Sequence, residues 1–111
     1  MSRVPNAAFA VVEPAKISSY LLVESHPEGG PKAVFFKRFG FDLNNSQALV
    51  SALLMHVATH PVTRVRVTIF GAKYEVTGPL LAPDGRLPKV KSVWAIDHGT
   101  SIPRFITAFP D

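Results

Sequence analysis

The apolar residues of this 111-residue chain change their spacing at Pro61. Before Pro61 they recur three or four residues apart, which is typical of a helix with one buried face. Leu49, Leu53 and Val57 are the clearest example. After Pro61, beginning with residues 62–70, they alternate with polar residues, which is typical of a strand with one buried face. The chain therefore predicts an α+β fold in which helices precede an antiparallel sheet.

Three N-terminal helices are predicted. The first begins at Pro14, where the missing N–H costs nothing, and ends near Val23. A loop rich in Gly and Pro, residues 24–31, separates it from a second helix at 32–39. The third helix covers 47–59, and we expect its apolar face to pack on the sheet.

Four strands are predicted after the helices, at 62–70, 72–82, 90–96 and 104–109. Short connections join them, including Gly71 and a Pro-Asp-Gly-Arg turn that ends at Arg86. Strands joined in this way form an antiparallel meander. We expect Trp94 to lie in the core, because its neighbours Val90 and Ile96 on the same strand face are apolar.

The length of the chain predicts a single domain with one core, residues 1–111. Its helical half covers about 13–60 and its sheet half about 62–110. A hydrophobic content of 47% with 18% charged residues is typical of a folded protein, not of a disordered tail.

The positive charge is concentrated on the predicted sheet. The formal net charge is +4, and residues 62–111 carry +3 of it. A sheet with basic side chains on its open face suits a polyanion, and RNA is the first candidate. A solvated sheet face in a small basic protein produces the same pattern, and composition alone favours that simpler explanation.

Several classes of site are not expected. The absence of cysteine excludes disulfides and thiolate metal sites. The four histidines lack the spacing of metal ligands, so we expect neither a metal nor a cofactor. No apolar run approaches the ~18 residues of a membrane span, and Pro5 and Asn6 interrupt any signal peptide. We expect a cytoplasmic protein without a membrane partner.

Three residues have side chains that suit phosphodiester chemistry. His26 lies in the Gly-rich loop, six residues before Lys32, which lies on the first turn of the second helix. Metal-free ribonucleases need a proton-transfer group and a cation, roles that histidine and lysine can fill. Thr107 lies in the last strand, and alternation places Phe105 and Phe109 on its face. On spacing alone, the simpler explanation is favoured for the first two: His26 is a loop histidine and Lys32 is a solvated helix lysine.

Three further residues are candidates for binding. Lys73 and Tyr74 are adjacent in the second strand, so their side chains point to opposite faces and only one can face a ligand. Arg86 lies at the tip of a hairpin, where a cation is usually exposed to solvent.

Many short segments resemble one family along nearly the whole chain. They are Pro5-Asn6-Ala7, Tyr20-Leu21-Leu22, His26-Pro27 with Gly30, Lys32-Ala33 with Phe35-Phe36, Gly40-Phe41, Gly71 with Lys73-Tyr74, Gly78-Pro79-Leu80, Gly85-Arg86, Ser92-Val93-Trp94 and Pro103 to Pro110. The family is a set of small bacterial proteins grouped as domain of unknown function 6883. Pro31 stands where the family often has serine.

The resemblance implies a module like those at the C-terminal ends of bacterial polymorphic toxins, which also occur as free-standing genes beside a small barrel-like partner gene. Their layout is similar to that of the barnase, EndoU, colicin and RelE group of ribonuclease folds. On this analogy His26, Lys32, Lys73 and Thr107 are the catalytic candidates, and Arg86 and Tyr74 bind substrate. Because the chain has no toxin delivery region, we expect a free intracellular toxin or a domesticated relative.

Two main hypotheses follow. In the first, the protein is a metal-independent endoribonuclease, the toxin half of a toxin–antitoxin-like pair, with RNA as substrate and a small antitoxin- or immunity-like protein as partner. His26 is then the base or the acid, Lys32 and Lys73 bind the scissile phosphate, Thr107 orients it and Arg86 steers the substrate. In the second, the sheet is a non-enzymatic module that binds protein or RNA; a purely structural partner subunit is a third reading. The sequence does not predict the oligomeric state.

Overall fold

The computed structural model describes residues 2–111. Its helical part contains α1 (Pro14–Lys16), which continues directly as a π-helix (Ile17–Leu21), then α2 (Gly30–Arg38) and α3 (Ser46–Thr59). Short 3₁₀ turns cover Ala7–Phe9 and Leu43–Asn45. The strands are β1 (Val62–Thr68), β2 (Gly71–Pro79), β3 (Lys89–Asp97) and β4 (Arg104–Pro110). They form one antiparallel sheet in the order β1-β2-β3-β4, which confirms the predicted α+β class and meander.

The helical part differs from the prediction in detail. The first predicted helix, 14–23, is a three-residue α-turn that passes into a π-helix and ends at Leu21. Ser18 donates its hydroxyl to the carbonyl of Pro14 at 3.2 Å, and serine side chains that bond to the backbone in this way disfavour a regular helix. The second helix begins at Gly30, two residues before its predicted start.

The core lies between the helices and one face of the sheet. Leu49, Leu53 and Val57 of α3 are fully buried, and α3 packs on β2 and β3. Trp94 of β3 is also fully buried, with its ring edge-on to Phe105 at 5.3 Å between centroids. The predicted packing of α3 on the sheet and the core position of Trp94 are both confirmed.

A buried polar network crosses this core. His56 of α3 lies with its Nδ1 2.8 Å from the hydroxyl of Ser92 and its Nε2 3.0 Å from the carbonyl oxygen of Gly78. Because a carbonyl only accepts, Nε2 carries the proton and Nδ1 accepts from Ser92. The indole of Trp94 donates to the same serine oxygen at 2.8 Å. Burial lowers the pKa of His56 below its ordinary value, so the neutral ring is favoured.

The helices leave β1 uncovered. Val65 and Val67 lie on the sheet face that carries the core, but they are exposed. Val67 and Ile69 each expose 84% of their surface, and Phe70 exposes 71%. The alternation in this strand correctly indicates which residues share a face, but α3 packs mainly on β2 and β3.

A bulge changes the faces of β4. Phe105 pairs with Trp94 and Thr107 pairs with Val93, the neighbouring residue of β3, so Ile106 is the extra residue. Phe105 therefore faces the core with Trp94, while Thr107 lies on the other face. The expectation that Phe105 shares the face of Thr107 is wrong, because the alternation is interrupted between them.

Among residues 2–111, no helix is long and apolar enough to cross a membrane.

Candidate functional site

Three polar side chains from distant parts of the chain meet where α2 packs on β4. Lys32 on the first turn of α2 donates from Nζ to the Tyr20 hydroxyl at 2.7 Å and to Thr107 Oγ1 at 3.0 Å. The two hydroxyl oxygens are 2.9 Å apart, so one donates to the other. We call Tyr20, Lys32 and Thr107 the donor cluster.

The donor cluster has more polar hydrogens than its internal hydrogen bonds use. An ammonium group has three N–H donors and each hydroxyl has one. Two N–H groups and one hydroxyl hydrogen are used within the cluster. One N–H of Lys32 and one hydroxyl hydrogen therefore remain for a ligand, which must supply acceptors.

The charge of Lys32 is not paired with a carboxylate. Within the described residues 2–111, no carboxylate oxygen lies within 4.0 Å of its Nζ. The ammonium lies 5.3 Å from the ring centroid of Tyr20 and 5.8 Å from that of Phe109. Aromatic faces stabilise a cation without neutralising it, so the site keeps its positive charge for an anion.

His26 is oriented beside the donor cluster by its own loop. Its Nδ1 accepts hydrogen bonds from the backbone N–H groups of Glu28 and Gly29, at 3.1 and 3.0 Å. Its ring stands edge-on to the ring of Tyr20, with 4.9 Å between centroids. The loop can approach this closely because a Cβ on Gly29 would collide with the carbonyl oxygen of Tyr20. The glycine is therefore part of what positions the imidazole.

A surface cleft of about 560 Å³ connects these groups. It is lined by the donor cluster and His26, by residues in or next to α1, the π-helix and the loop, and by one residue of β4: Glu13, Ala15, Lys16, Ser19, Glu28 and Ile106. The cleft thus combines cations and hydrogen-bond donors with two carboxylates. Three predicted site residues, His26, Lys32 and Thr107, are brought together in it.

Lys73 lies beside this cleft but does not line it. It is on β2, with β3 between it and β4, so a strand spacing of about 4.8 Å places its backbone about 10 Å from β4. It lines a second cleft of about 470 Å³ with Arg104 and Ile106. Because Ile106 borders both clefts, the two are neighbours on the surface.

Tyr74 and Arg86 lie elsewhere. Tyr74 is half-buried and packs against the core on the face opposite Lys73. Arg86 forms an ion pair with Asp84 at 2.7 Å and donates to the carbonyl of Arg38 at 2.6 Å. Its guanidinium lies 4.4 Å from the ring centroid of Phe39, so it ties the β2–β3 loop to the end of α2.

Tyr20 is a site residue that the sequence did not predict. Helical spacing groups it with Ile17 and Leu21, and those two are fully buried, but Tyr20 is only half-buried and its hydroxyl reaches the cleft. The one feature of the sequence that could have indicated it is the presence of a tyrosine within an apolar stripe, since a tyrosine hydroxyl there needs a polar partner. No group of three or more His, Asp or Glu residues placed to hold a metal ion occurs among residues 2–111.

Residues 3–111 match the model of the family described as "Domain of unknown function (DUF6883)". The chain belongs to this family. The resemblance found in the sequence is thereby confirmed over almost the whole chain. The chain has no significant match among curated protein sequences.

The fold of this family member is similar to that of a chain in the solved "Contact-dependent growth inhibition toxin - immunity protein complex from Klebsiella pneumoniae 342". The TM-score is 0.69 with 20% sequence identity, and the match covers 95% of this chain and 96% of that chain. At this identity the likeness concerns the fold alone.

Proposed function

We propose that this protein is a metal-independent endoribonuclease and acts as the toxin half of a toxin–immunity pair. The observation that carries the proposal is the donor cluster, in which a lysine without a carboxylate partner bonds to two hydroxyls and faces a cleft shared with His26. Such a site binds an anion through its charge and its remaining hydrogens. The phosphodiester of RNA is the anion that fits a basic protein of this kind.

The reaction assigned to the cleft is transfer of the phosphoryl group within the RNA. The 2′-oxygen forms a bond to phosphorus while the bond from phosphorus to the 5′-oxygen breaks. One proton leaves the 2′-hydroxyl for a base, and one is delivered to the departing 5′-oxygen, so the products are a 2′,3′-cyclic phosphate and a 5′-hydroxyl. The donor cluster stabilises the extra negative charge of the phosphorane. His26, the ammonium of Lys16 and the carboxylates of Glu13 and Glu28 are the other ionisable groups that line the cleft.

The second cleft extends the path for an RNA strand. Lys73 and Arg104 line it and are two strands apart from each other in the sheet. Arg104 is held by Asp97 at 2.6 Å, which leaves Lys73 as the freer cation. We assign to Lys73 a phosphate flanking the scissile one.

The proposed partner is an immunity-like protein. The support is the shared fold with a chain from a complex of a toxin with its immunity protein. A nuclease active in its own cell requires such an inhibitor, so we expect the neighbouring gene to encode a small protein that binds this chain.

One observation favours the second candidate, a non-enzymatic binding module. The uncovered edge strand β1 and the turn after it present Val67, Ile69 and Phe70 to solvent. Exposed apolar side chains beside an unpaired strand edge are typical of a surface that binds another protein. Val67 lies on the edge strand opposite β4, whereas Ile69 and Phe70 line the second cleft together with Lys73. A binding role would therefore use the second cleft and not the cleft of the donor cluster.

The deciding experiment is RNA cleavage by purified protein in the presence of EDTA. We expect wild-type protein to release fragments with 2′,3′-cyclic phosphate ends, and Thr107→Val to release them more slowly. If folded wild-type protein leaves RNA intact but binds the product of its neighbouring gene, the binding-module function replaces the nuclease.

A further inference from the structure

We propose that His26 acts in RNA cleavage as a neutral hydrogen-bond donor through Nε2, and that the base is a carboxylate of the same cleft. The inference rests on the proposed nuclease function and states which group accepts and which group donates each proton during cleavage. The sequence alone left His26 as either base or acid.

The loop geometry decides which ring nitrogen carries the proton. Both Glu28 and Gly29 direct their backbone N–H groups at Nδ1. A backbone N–H can only donate, so Nδ1 must present its lone pair. In the neutral ring the single proton is then on Nε2. If Nδ1 were also protonated, its N–H would point at the N–H groups of Glu28 and Gly29, and both backbone groups would lose their acceptor.

This tautomer has a direct chemical consequence. Nε2 has no lone pair while it carries the proton, so it cannot receive the proton of the 2′-hydroxyl. It can donate a hydrogen bond to a non-bridging phosphoryl oxygen whose negative charge grows in the transition state. A neutral histidine that polarises an oxygen in this way is an established catalytic device.

The base must then be another group of the cleft. Glu13 and Glu28 are the carboxylates that line it, and both are exposed. One of them accepts the proton of the 2′-hydroxyl as the new bond to phosphorus forms. The departing 5′-oxygen takes a proton from the ammonium of Lys32, so protons and electrons balance without a further reagent.

Three substitutions at His26 separate two roles of its ring, the acceptor at Nδ1 that holds the loop and the donor at Nε2 that faces the phosphate. In His26→Asn, the amide oxygen can accept the two loop N–H groups, but no donor reaches the position of Nε2. In His26→Gln, the longer amide places an N–H group near that position but cannot act as a base. In His26→Ala both functions are lost. We expect His26→Gln to retain cleavage within about 10-fold of wild type, and the other two to lose about 10²–10³-fold.

Equal losses in His26→Gln and His26→Ala would overturn the donor role. The carboxylate base is tested by Glu13→Gln and Glu28→Gln, one of which should lower cleavage by about 10²–10⁴-fold. Full activity in both variants would overturn that assignment. Unchanged thermal unfolding of each variant is the control for the fold.

A measurement on the resting protein does not depend on activity. Long-range ¹H–¹⁵N correlation in alkaline buffer distinguishes a protonated ring nitrogen from an unprotonated one. We expect His26 to show a protonated Nε2 and an unprotonated Nδ1, and His26→Asn to serve for assignment. The opposite tautomer would overturn the inference even in an active nuclease. A wild-type protein with the expected tautomer but no cleavage would instead refute the nuclease and, with it, the role of His26.

Discussion

Replacing Lys32 with methionine tests the donor cluster most directly. Methionine keeps the unbranched apolar stem of the side chain, one atom shorter, beside the rings of Tyr20 and Phe109, but it removes the charge and all three N–H donors. Two of those donors hold the cluster together, and the third is the one left for the phosphate, where it also supplies the proton of the departing 5′-oxygen in the reaction proposed above. Loss of a donor that faces developing negative charge costs about 2.7–4 kcal/mol of transition-state stabilisation, or 10²–10³-fold in kcat.

The fold should change much less than the activity. The hydrogen bond between Tyr20 and Thr107 does not involve Lys32 and persists. Each lost hydrogen bond contributes about 1 kcal/mol net, and the apolar side chain offsets part of that loss. We therefore expect the free energy of unfolding of Lys32→Met to stay within about 1 kcal/mol of wild type.

The assay is single-turnover cleavage of labelled RNA in EDTA, with Lys37→Met as the matched control. Lys37 is on the same helix, but it pairs with Glu24 at 2.8 Å and does not line the cleft. Lys32→Met should also reduce the slope of log K against log salt for RNA binding by about 1, because one phosphate contact is lost. If the two methionine variants cleave and bind RNA alike, the reasoning from the donor cluster is refuted.

Three further outcomes are expected. RNA binding by wild-type protein should weaken with salt with a slope of about −2 to −4, because few cations share one surface; tight binding that ignores salt would contradict the polyanion argument. Trp94→Ala should lower the free energy of unfolding by about 3–5 kcal/mol in denaturant titrations, because its fully buried ring leaves a cavity. The pKa of His56 is lowered by burial, so below pH ~6.5 the unfolded chain binds the proton more readily. Stability should therefore fall as pH falls through this range, by at most about 1.4 kcal/mol per pH unit. His56→Gln should flatten that dependence, and parallel curves for both proteins would contradict it.

The order of the elements could be predicted from the sequence because spacing of apolar residues is a local property of the backbone. The buried face of α3, with Leu49, Leu53 and Val57, and the core position of Trp94 follow from periods of 3.6 and 2. Prediction of the buried faces from the sequence failed where the backbone departs from these periods. The π-helix after α1 and the bulge at Ile106 in β4 are examples, and β1 has a further register shift at Thr63.

Exposure depended on tertiary structure even where the period was correct. Alternation places Val65 and Val67 on the core side of the sheet, but whether a helix covers them depends on where α3 lies. Arg86 is a similar case, because a cation at a hairpin tip finds Phe39 and the carbonyl of Arg38 only once α2 is packed nearby.

His26 and Lys32 could be proposed as a pair because one loop and one helix start hold them close in sequence. The rest of the site could not. Thr107 is 75 residues from Lys32 and 87 from Tyr20, and only the packing of α2 and the π-helix against β4 brings their polar atoms within 3.0 Å. The elements and most of the core can be inferred from the sequence, because the periodicity of buried residues is a property of residues close together in the chain. Which hydroxyls bond to the ammonium cannot be inferred in this way, because hydrogen bonding between distant segments depends on how those segments pack in space.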